Sequence, residues 1–259
     1  MKEMITEANC RVYSFKRYNK NMKPELLLFD LDDTLMAFDL VSEEAWDKAV
    51  DIFIQGGNKN IEKNILLNKL HMTRKWYWSD PERHKTGRKD IFQARREIVK
   101  LALKEYNNIE NSKIIELADN YSRIHEKLWH LFDGVEETLQ KLKNKCIKLG
   151  IMTNGTTESQ RGKLKRFDIE KYFDYIFIEG EVGYGKPDVK IYEYMLKKTK
   201  INSDKIIMVG DNLIWDIEPP QKLGIYTIWI NTKGAQLENF NINPDKIIIK
   251  ISDIVDLIY

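Results

Sequence analysis

Short apolar runs alternate with segments of helical periodicity along most of the chain. The first run, Leu26–Phe29, predicts a buried strand. Similar runs, each expected to form a further strand, are Ile147–Met152, Tyr175–Ile178, Ile206–Val209, Ile225–Ile230 and Ile247–Ile251. Helices are predicted between and after them, at Val135–Lys145, from Thr156 or Thr157, at Val189–Lys198, near Asp216–Lys222 and at Ile254–Tyr259. This alternation predicts an α/β fold built on a doubly wound parallel sheet.

The segment from about Leu40 to about Leu131 lacks such runs and shows helical spacing instead. Its apolar residues recur mostly at intervals of three and four in three stretches: Ala45, Ala49, Ile52 and Phe53; Ile91, Ala94, Ile98 and Leu101; and Ile114, Leu117, Ala118 and Tyr121. Breaks rich in glycine and asparagine separate them. We therefore predict an α/β core at residues 24–38 and 132–259, an all-helical insertion at residues 39–131 and an N-terminal extension at residues 1–23.

Composition and charge mainly exclude classes of protein. With 42% hydrophobic and 32% charged residues, the chain resembles an ordinary folded globular protein. Its formal net charge of +2 is too small to indicate nucleic acid or an anionic membrane as a partner, and no apolar run approaches the ~18 residues that span a bilayer. Two cysteines, Cys10 and Cys146, are too few for a disulfide framework or a metal cluster, which fits a cytoplasmic protein. We expect a monomer or a homodimer.

The first 23 residues carry six lysines and arginines against two glutamates. Such a segment could be a basic arm that binds an acidic partner, although charged runs are more often solvated extensions. A start at Met22 is a third interpretation, since the first predicted strand follows almost at once.

Three acids follow the first predicted strand directly, in the segment Asp30-Leu31-Asp32-Asp33-Thr34. In an extended segment, residues two apart point to the same side, so Asp30 and Asp32 would present two carboxylates to one small volume. Like charges at that distance need a cation, a shared proton or a charged substrate complex between them. A helix N-cap would require only one acid, so we favour a functional pair.

Further acids are expected at the same edge, because functional groups gather at the carboxyl ends of parallel strands. Asp211 follows the predicted strand Ile206–Val209, and Asp216 lies five residues further on. Together with the acids after the first strand, they predict a Mg²⁺ site, because this ion prefers a few hard oxygen ligands.

Two other segments at this edge fit phosphate binding. Thr153-Asn154-Gly155 precedes a predicted helix, and a hydroxyl with exposed N–H groups at a helix N-terminus can cradle a phosphate. The same residues could equally cap the helix. Lys186, in Gly185-Lys186-Pro187-Asp188, also precedes a helix. A surface lysine is the ordinary alternative, and only the position on this edge favours a role in phosphate binding.

In this order and spacing, the four segments resemble the four motifs of the haloacid dehalogenase-like hydrolase superfamily. The resemblance covers residues 24–259 and is to the phosphatase branch with a helical cap between the first and second motifs. It implies that Asp30 is the nucleophile, Asp32 the general acid and base, and Lys186 the lysine that stabilises the nucleophile and the phosphoryl oxygens. The residues expected to bind the substrate phosphate are Thr153, Asn154 and Lys186.

The resemblance also implies a magnesium site formed by Asp30, Asp32, Asp211 and Asp216. Asp32 would contribute its backbone carbonyl, and Asp216 would usually act through water. Two departures from the family pattern concern helix geometry and touch no catalytic position. Asp133 stands where proline is common, and Glu218-Pro219-Pro220 stands where a small Gly-Ala step is common.

The resemblance implies a Mg²⁺-dependent phosphatase that hydrolyses a small phosphorylated metabolite, a nucleotide or sugar phosphate, through an aspartyl-phosphate. A haloacid dehalogenase would need neither a metal nor a proton donor at Asp32, because halide leaves unprotonated. A phosphomutase is closer chemistry and stays open as an alternative. A non-catalytic binding protein would be free to lose catalytic groups, and every one is present here.

The insertion carries a basic, aromatic stretch whose role is open. Residues 71–100 contain nine Lys and Arg against four Asp and Glu, with Trp76, Tyr77, Trp78 and Phe92 among them. Such a surface suits anions and rings of a substrate. The favoured interpretation is core aromatics of a helical bundle with a solvated basic face.

Overall fold

The computed structural model describes residues 24–58, 60–106, 109–237 and 241–258. The predicted N-terminal extension, residues 1–23, lies outside the described residues. The strands of the described part are, in chain order, β1 (Leu26–Phe29), β2 (Met36–Ala37), β3 (His130–Leu131), β4 (Lys148–Thr153), β5 (Tyr175–Ile178), β6 (Ile206–Gly210), β7 (Tyr226–Ile230) and β8 (Lys246–Ile248).

Six of these strands form one parallel sheet in the order β5-β4-β1-β6-β7-β8, with β1 near its centre. Every residue of β1 is fully buried. Leu27 and Phe29 pack on one face of the sheet, and Leu26 and Leu28 pack on the other, as the two-residue period of a strand requires. The predicted α/β fold with a doubly wound parallel sheet is confirmed.

The α-helices of the described part are α1 (Ser42–Gln55), α2 (Lys63–Ser79), α3 (Pro81–Gly87), α4 (Ile91–Ala102), α5 (Asn111–Leu128), α6 (Val135–Asn144), α7 (Thr157–Arg166), α8 (Glu179–Val182), α9 (Val189–Thr199), α10 (Glu218–Lys222) and α11 (Ile254–Leu257). Both faces of the sheet are covered by helices that follow its strands. On the face of Leu27 and Phe29, α6 buries Val135, Leu139 and Leu142. On the opposite face, α9 buries residues from its own apolar stripe.

Helices α1 to α5, which lie between β2 and β3 along the chain, form a bundle with its own apolar core. Trp46 of α1 stacks on Tyr121 of α5, with ring centroids 3.8 Å apart. The apolar spacing predicted α1, α4 and α5, but α2 and α3 were not foreseen as helices. Of the aromatics in the basic stretch, Tyr77 lies in the bundle core, whereas Trp76 and Phe92 are more than half exposed. The bundle-core interpretation therefore fits only some of these side chains.

A two-residue antiparallel ribbon joins the bundle to the parallel sheet. Met36 pairs with Leu131 and Ala37 pairs with His130. The expectation of an all-helical insertion at residues 39–131 is therefore wrong at its last two residues, which form β3. Two residues are too few to show the period of a strand in the sequence.

Two elements near the C-terminus also differ from the prediction. The last strand is β8, which ends at Ile248, and a 3₁₀ turn at Ile251–Asp253 replaces the predicted end of the strand. The helix predicted near Asp216–Lys222 is a π-helical turn at Leu213–Ile217 followed by α10. The two prolines of Glu218-Pro219-Pro220 lie in the first turn of α10, where backbone N–H groups have no helical partner. None of the described helices is both long and apolar enough to cross a membrane.

Candidate active site

Side chains from three neighbouring strands meet at the carboxyl edge of the sheet. Asp30 follows β1, Thr153 ends β4, and Asp211 follows β6. The register pairs Phe29 with Ile151 and with Val209, so Asp30 emerges between the ends of both neighbouring strands. This edge is the one where the sequence predicted the functional groups.

Three carboxylates form a compact acid cluster. Asp30, Asp211 and Asp216 each offer an oxygen, and these oxygens lie within 4.8 Å of one another. Gly210 permits the approach of Asp216, because a Cβ at position 210 would overlap the Asp216 side chain. The acid cluster is therefore built by the end of β6, the turn after it, and β1.

Lys186 is the buried cation of this cluster. Its Nζ donates to Asp30 Oδ1 at 2.6 Å and to Asp216 Oδ1 at 2.5 Å, and its side chain is 2% exposed. Burial disfavours the ammonium, but Asp216 and Asp30 outweigh burial and raise the Lys186 pKa. With all three carboxylates ionised, one ammonium would leave two negative charges in the cluster.

The pKa values of the acids reflect that surplus charge. Burial raises the pKa of Asp30 to about 7, with Lys186 opposing the shift and Asp216 adding to it. Burial and the neighbouring carboxylates of Asp216 and Asp30 raise the pKa of Asp211 well above its usual range. A divalent cation would neutralise the two surplus charges, and carboxylate oxygens are the donors that Mg²⁺ prefers. The residues present therefore fit this ion.

The carboxylate of Asp32 is held by a different cation. Lys163 Nζ donates to both of its oxygens, at 2.8 and 2.7 Å, and Gln160 Nε2 contacts one of them at 3.2 Å. Lys163 is buried beneath the rings of Phe38 and Trp129, with Nζ 4.1 and 5.0 Å from the ring centroids. The sequence argument left a cation, a shared proton or a charged substrate complex between the Asp30 and Asp32 carboxylates. In the structure each carboxylate has its own lysine, Lys186 for Asp30 and Lys163 for Asp32, and the Asp32 carboxylate is not one of the three in the acid cluster.

Hydrogen bonds from the Gln160 and Asn154 side chains fix the loop after β4. Gln160 Nε2 donates to Thr153 Oγ1 at 2.6 Å and to the Asn154 carbonyl at 2.7 Å. The Asn154 amide accepts from the Lys186 N–H and donates to the Lys186 carbonyl, both at 2.7 Å. Both ends of the Asn154 side chain are thus committed to the backbone of Lys186. These contacts position the lysine, and the expected contact of the Asn154 side chain with phosphate stays a prediction.

A bidentate ion pair connects the helical bundle to this loop. Arg88, which follows α3, donates to both carboxylate oxygens of Glu179 in α8, at 2.7 and 2.8 Å. The same carboxylate accepts the backbone N–H of Gly155 at 3.0 Å. Neither Arg88 nor Glu179 was singled out in the sequence, and neither was Lys163 or Gln160. Their partners lie 91 and 128 to 131 residues away along the chain, so no local spacing indicates them.

The acid cluster opens into a cavity of about 1170 Å³ between the sheet edge and the bundle. Asp30, Asp32 and Thr153 line its floor, and Trp78, Phe92 and Arg95 of the bundle line its other side. The cavity is large enough for a metabolite of ordinary size.

Comparisons with known proteins agree with this architecture. Residues 27–230 match the sequence model of a protein family, which is described as haloacid dehalogenase-like hydrolase. Glyceraldehyde 3-phosphate phosphatase from Methanocaldococcus jannaschii is 31% identical over 234 residues, which cover 90% of this chain and 96% of that protein. Pyrimidine 5'-nucleotidase PynA from Streptococcus pneumoniae is 26% identical, covering 80% of this chain and 84% of that protein.

A solved structure gives the same result for the fold. The HAD-hydrolase YfnB from Bacillus subtilis, bound to magnesium and described as showing interdomain movement, aligns with a TM-score of 0.70. The alignment covers 91% of this chain and 99% of that one at 23% identity. At this identity the likeness shows the fold.

Proposed function

The chain belongs to the haloacid dehalogenase-like hydrolases, and from that premise we propose a Mg²⁺-dependent phosphatase that acts on a small phosphorylated metabolite through an aspartyl-phosphate at Asp30. One observation carries the proposal. Asp30 is fixed by Lys186 within an acid cluster that would have two surplus negative charges with all three carboxylates ionised, and it lines the cavity beside Asp32. The relatives named as a phosphatase and as a nucleotidase support the same activity.

In the first step, an Asp30 oxygen attacks phosphorus, and the bond from phosphorus to the leaving oxygen breaks. Asp32 donates a proton to that oxygen, so the product leaves as an alcohol. In the second step, Asp32 takes a proton from water, whose oxygen attacks phosphorus and releases Asp30 and inorganic phosphate. Lys163 and Gln160 hold the Asp32 carboxylate in place for both transfers.

Lys186 and Thr153 bind the oxygens of the transferred phosphoryl group, and Asn154 positions Lys186 through its backbone. When bound, Mg²⁺ supplies positive charge that offsets the repulsion between the Asp30 carboxylate and a phosphate dianion. Asp30, Asp211 and the Asp32 carbonyl would hold the ion directly. Asp216 would act through water, since its two oxygens already accept from Lys186 and from the Asn212 N–H.

The bundle acts as a cap over the cavity and limits the substrate to small molecules. We propose residues 39–131 as this cap and residues 24–38 and 132–259 as the core. The Arg88–Glu179 ion pair supports a closed arrangement, because it spans from the cap to the phosphate loop. We place the protein in the cytoplasm, where the exposed free thiol of Cys146 would stay reduced.

The test is release of inorganic phosphate from p-nitrophenyl phosphate and a panel of phosphorylated metabolites, with Mg²⁺ and after exhaustive chelation. We expect turnover with Mg²⁺ and little without it. Asp30→Asn should lose nearly all turnover, because an amide does not serve as this nucleophile. Asp47→Asn, which alters an exposed ion pair between Asp47 of α1 and Lys63 of α2, is the matched control and should keep normal turnover. Normal turnover in a folded Asp30→Asn variant would contradict the proposal, and conversion of a sugar phosphate to its isomer without phosphate release would indicate a mutase instead.

A further inference from the structure

Arg95 of α4 is a buried guanidinium at the wall of the cavity. Only 7% of the residue is exposed, and it lines the cavity that also contains Asp30. Within the described ranges, no carboxylate oxygen lies within ion-pairing distance of it. Burying a charge without a counter-charge is costly, so such an arrangement in a cavity needs an explanation.

The polar partner of Arg95 is a neutral histidine. An Arg95 Nη lies 3.3 Å from His125 Nδ1, and since a guanidinium only donates, Nδ1 must accept. His125 Nε2 therefore carries the hydrogen, which it donates to the Phe38 carbonyl at 2.7 Å. Burial and Arg95 lower the pKa of His125 to about 3, so the ring is neutral and does not balance the Arg95 charge. The Tyr121 ring, 5.0 Å away, supplies only a cation–π contact.

Other buried or half-buried cations along the cavity have carboxylate partners. Those pairs are Arg74 with Glu43, Arg88 with Glu179, Lys163 with Asp32, Lys186 with Asp30 and Asp216, and Lys233 with Asp33. Lys75, Lys89 and Arg166 also line the cavity, but water reaches them because they are exposed. Arg95 differs from both groups, since it is buried and no carboxylate among the described residues lies within ion-pairing distance of it; the exposed Glu126 acts on it only at longer range.

Burial is also the main cause that lowers the pKa of Arg95, and nearby Arg74 adds to it, while Tyr121 and Glu126 partly oppose the shift. The guanidinium still has N–H donors that His125 does not use, in a planar fork that matches a carboxylate or a phosphate. A ligand oxyanion at this wall would restore the missing charge and fill those donors.

We propose that Arg95 binds a second acidic group of the substrate, remote from the phosphoryl group that Asp30 attacks. The substrate is then a small phosphomonoester that also carries a carboxylate or a second phosphate. His125 positions Arg95 by accepting one of its N–H groups. This inference rests on the proposed phosphatase activity and names the substrate class for it.

The test compares substrates that differ only in the remote group. 3-Phosphoglycerate is paired with glycerol 3-phosphate, and fructose 1,6-bisphosphate is paired with fructose 6-phosphate, so the two arms separate carboxylate from phosphate. We expect a kcat/KM at least about tenfold higher for the acidic member of one pair. Arg95→Met should lower that value by about 10- to 100-fold, mainly through KM, and should have little effect on the member that lacks the second acidic group. Equal use of both members in both pairs would overturn the inference.

Arg96→Met is the matched control. Arg96 is the next residue of α4, and its guanidinium is half exposed and paired with Asp119 at 2.9 Å. This variant should keep the preference for the acidic substrate. Arg95→Met should unfold at the same temperature as the wild type or higher, because it removes an unpaired buried charge. An Arg95→Met variant that is folded and keeps the preference would also overturn the inference.

Ligand binding separates this inference from the proposed function. If neither p-nitrophenyl phosphate nor any phosphorylated metabolite of the panel is hydrolysed, the phosphatase proposal fails, but thermal stabilisation by 3-phosphoglycerate or fructose 1,6-bisphosphate can still be measured. Stabilisation of the wild type that Arg95→Met loses and Arg96→Met keeps supports the acidic subsite. No stabilisation by either ligand, or equal stabilisation of all three proteins, contradicts it.

Discussion

The buried ion pair between Arg88 and Glu179 should contribute measurably to the free energy of unfolding. We expect Glu179→Gln to destabilise the protein and weaken substrate binding, because the Glu179 carboxylate accepts two bonds from the cap and one from the Gly155 N–H. The side chains are 14% and 8% exposed, so both charges are largely removed from water. Glutamine keeps one acceptor but cannot balance the Arg88 charge.

The magnitude follows from burial. Removing one member of a fully buried pair costs ~3–5 kcal/mol. Arg88 lines a water-accessible cavity and can be partly rehydrated, so we expect a smaller loss of ~1–3 kcal/mol, which is typical of hydrogen bonds to charged groups. At roughly 2–4 °C per kcal/mol for chains of about this size, the unfolding temperature should fall by several degrees.

Thermal unfolding by circular dichroism measures the loss, and the KM for the best substrate reports the effect on the cap. The matched control is Glu181→Gln, in the same helix, which removes a more exposed pair with Arg161 and should cost less than ~1 kcal/mol. A double-mutant cycle with Arg88→Met isolates the pair itself. Equal unfolding temperatures for Glu179→Gln and Glu181→Gln, or additive effects in the cycle, would refute the structural reasoning.

Three further predictions concern the edge of the sheet. Asp32→Asn should slow turnover by at least the ~10²-fold typical of lost acid–base catalysis, measured as kcat in a folded variant; a near-normal kcat would exclude Asp32 from proton transfer. Asn154→Ala should lower kcat by about tenfold or more by releasing Lys186, and if phosphate affinity alone changes, Asn154 contacts phosphate directly. The native Asp30 pKa of about 7 exceeds its usual 3.8, so the folded metal-free protein binds this proton more tightly and loses stability as pH rises between those values. Unfolding temperatures from pH 4 to 8 should show this loss in wild type relative to Asp30→Asn, and Mg²⁺ should remove it; an identical pH profile for the two proteins would contradict the assignment.

The sequence predicted the sheet because a central strand has little freedom in composition. Leu26–Phe29 is buried on both faces, so it must be a continuous apolar run. The same logic failed for α2, whose buried residues Leu66, Leu70 and Tyr77 are widely spaced among polar ones. It also failed for β2 and β3, which are too short to show a period.

The candidate site, too, could be predicted from the sequence only in part. Asp30 and Asp211 could be placed from the sequence because each directly follows a strand, and parallel strands end at one edge. The partner of Asp32 could not be placed. Lys163 is one of many lysines, and its role depends on the packing of α7 against Phe38 and Trp129. Arg95 and Arg96 are neighbours in the sequence, and only burial on the folded helix distinguishes them.

The antiparallel ribbon of β2 and β3 has a consequence for the evolution of the molecule. Because Met36 pairs with Leu131, the chain leaves the core and returns to it at adjacent points, ~5 Å apart. The whole segment between them can be shortened, lengthened or exchanged for that of another protein without stretching β1 or displacing Asp30. Under the proposed role of the bundle as a cap, substrate preference can therefore diverge by replacement of one contiguous stretch of the gene, while the acids and Lys186 stay encoded outside it.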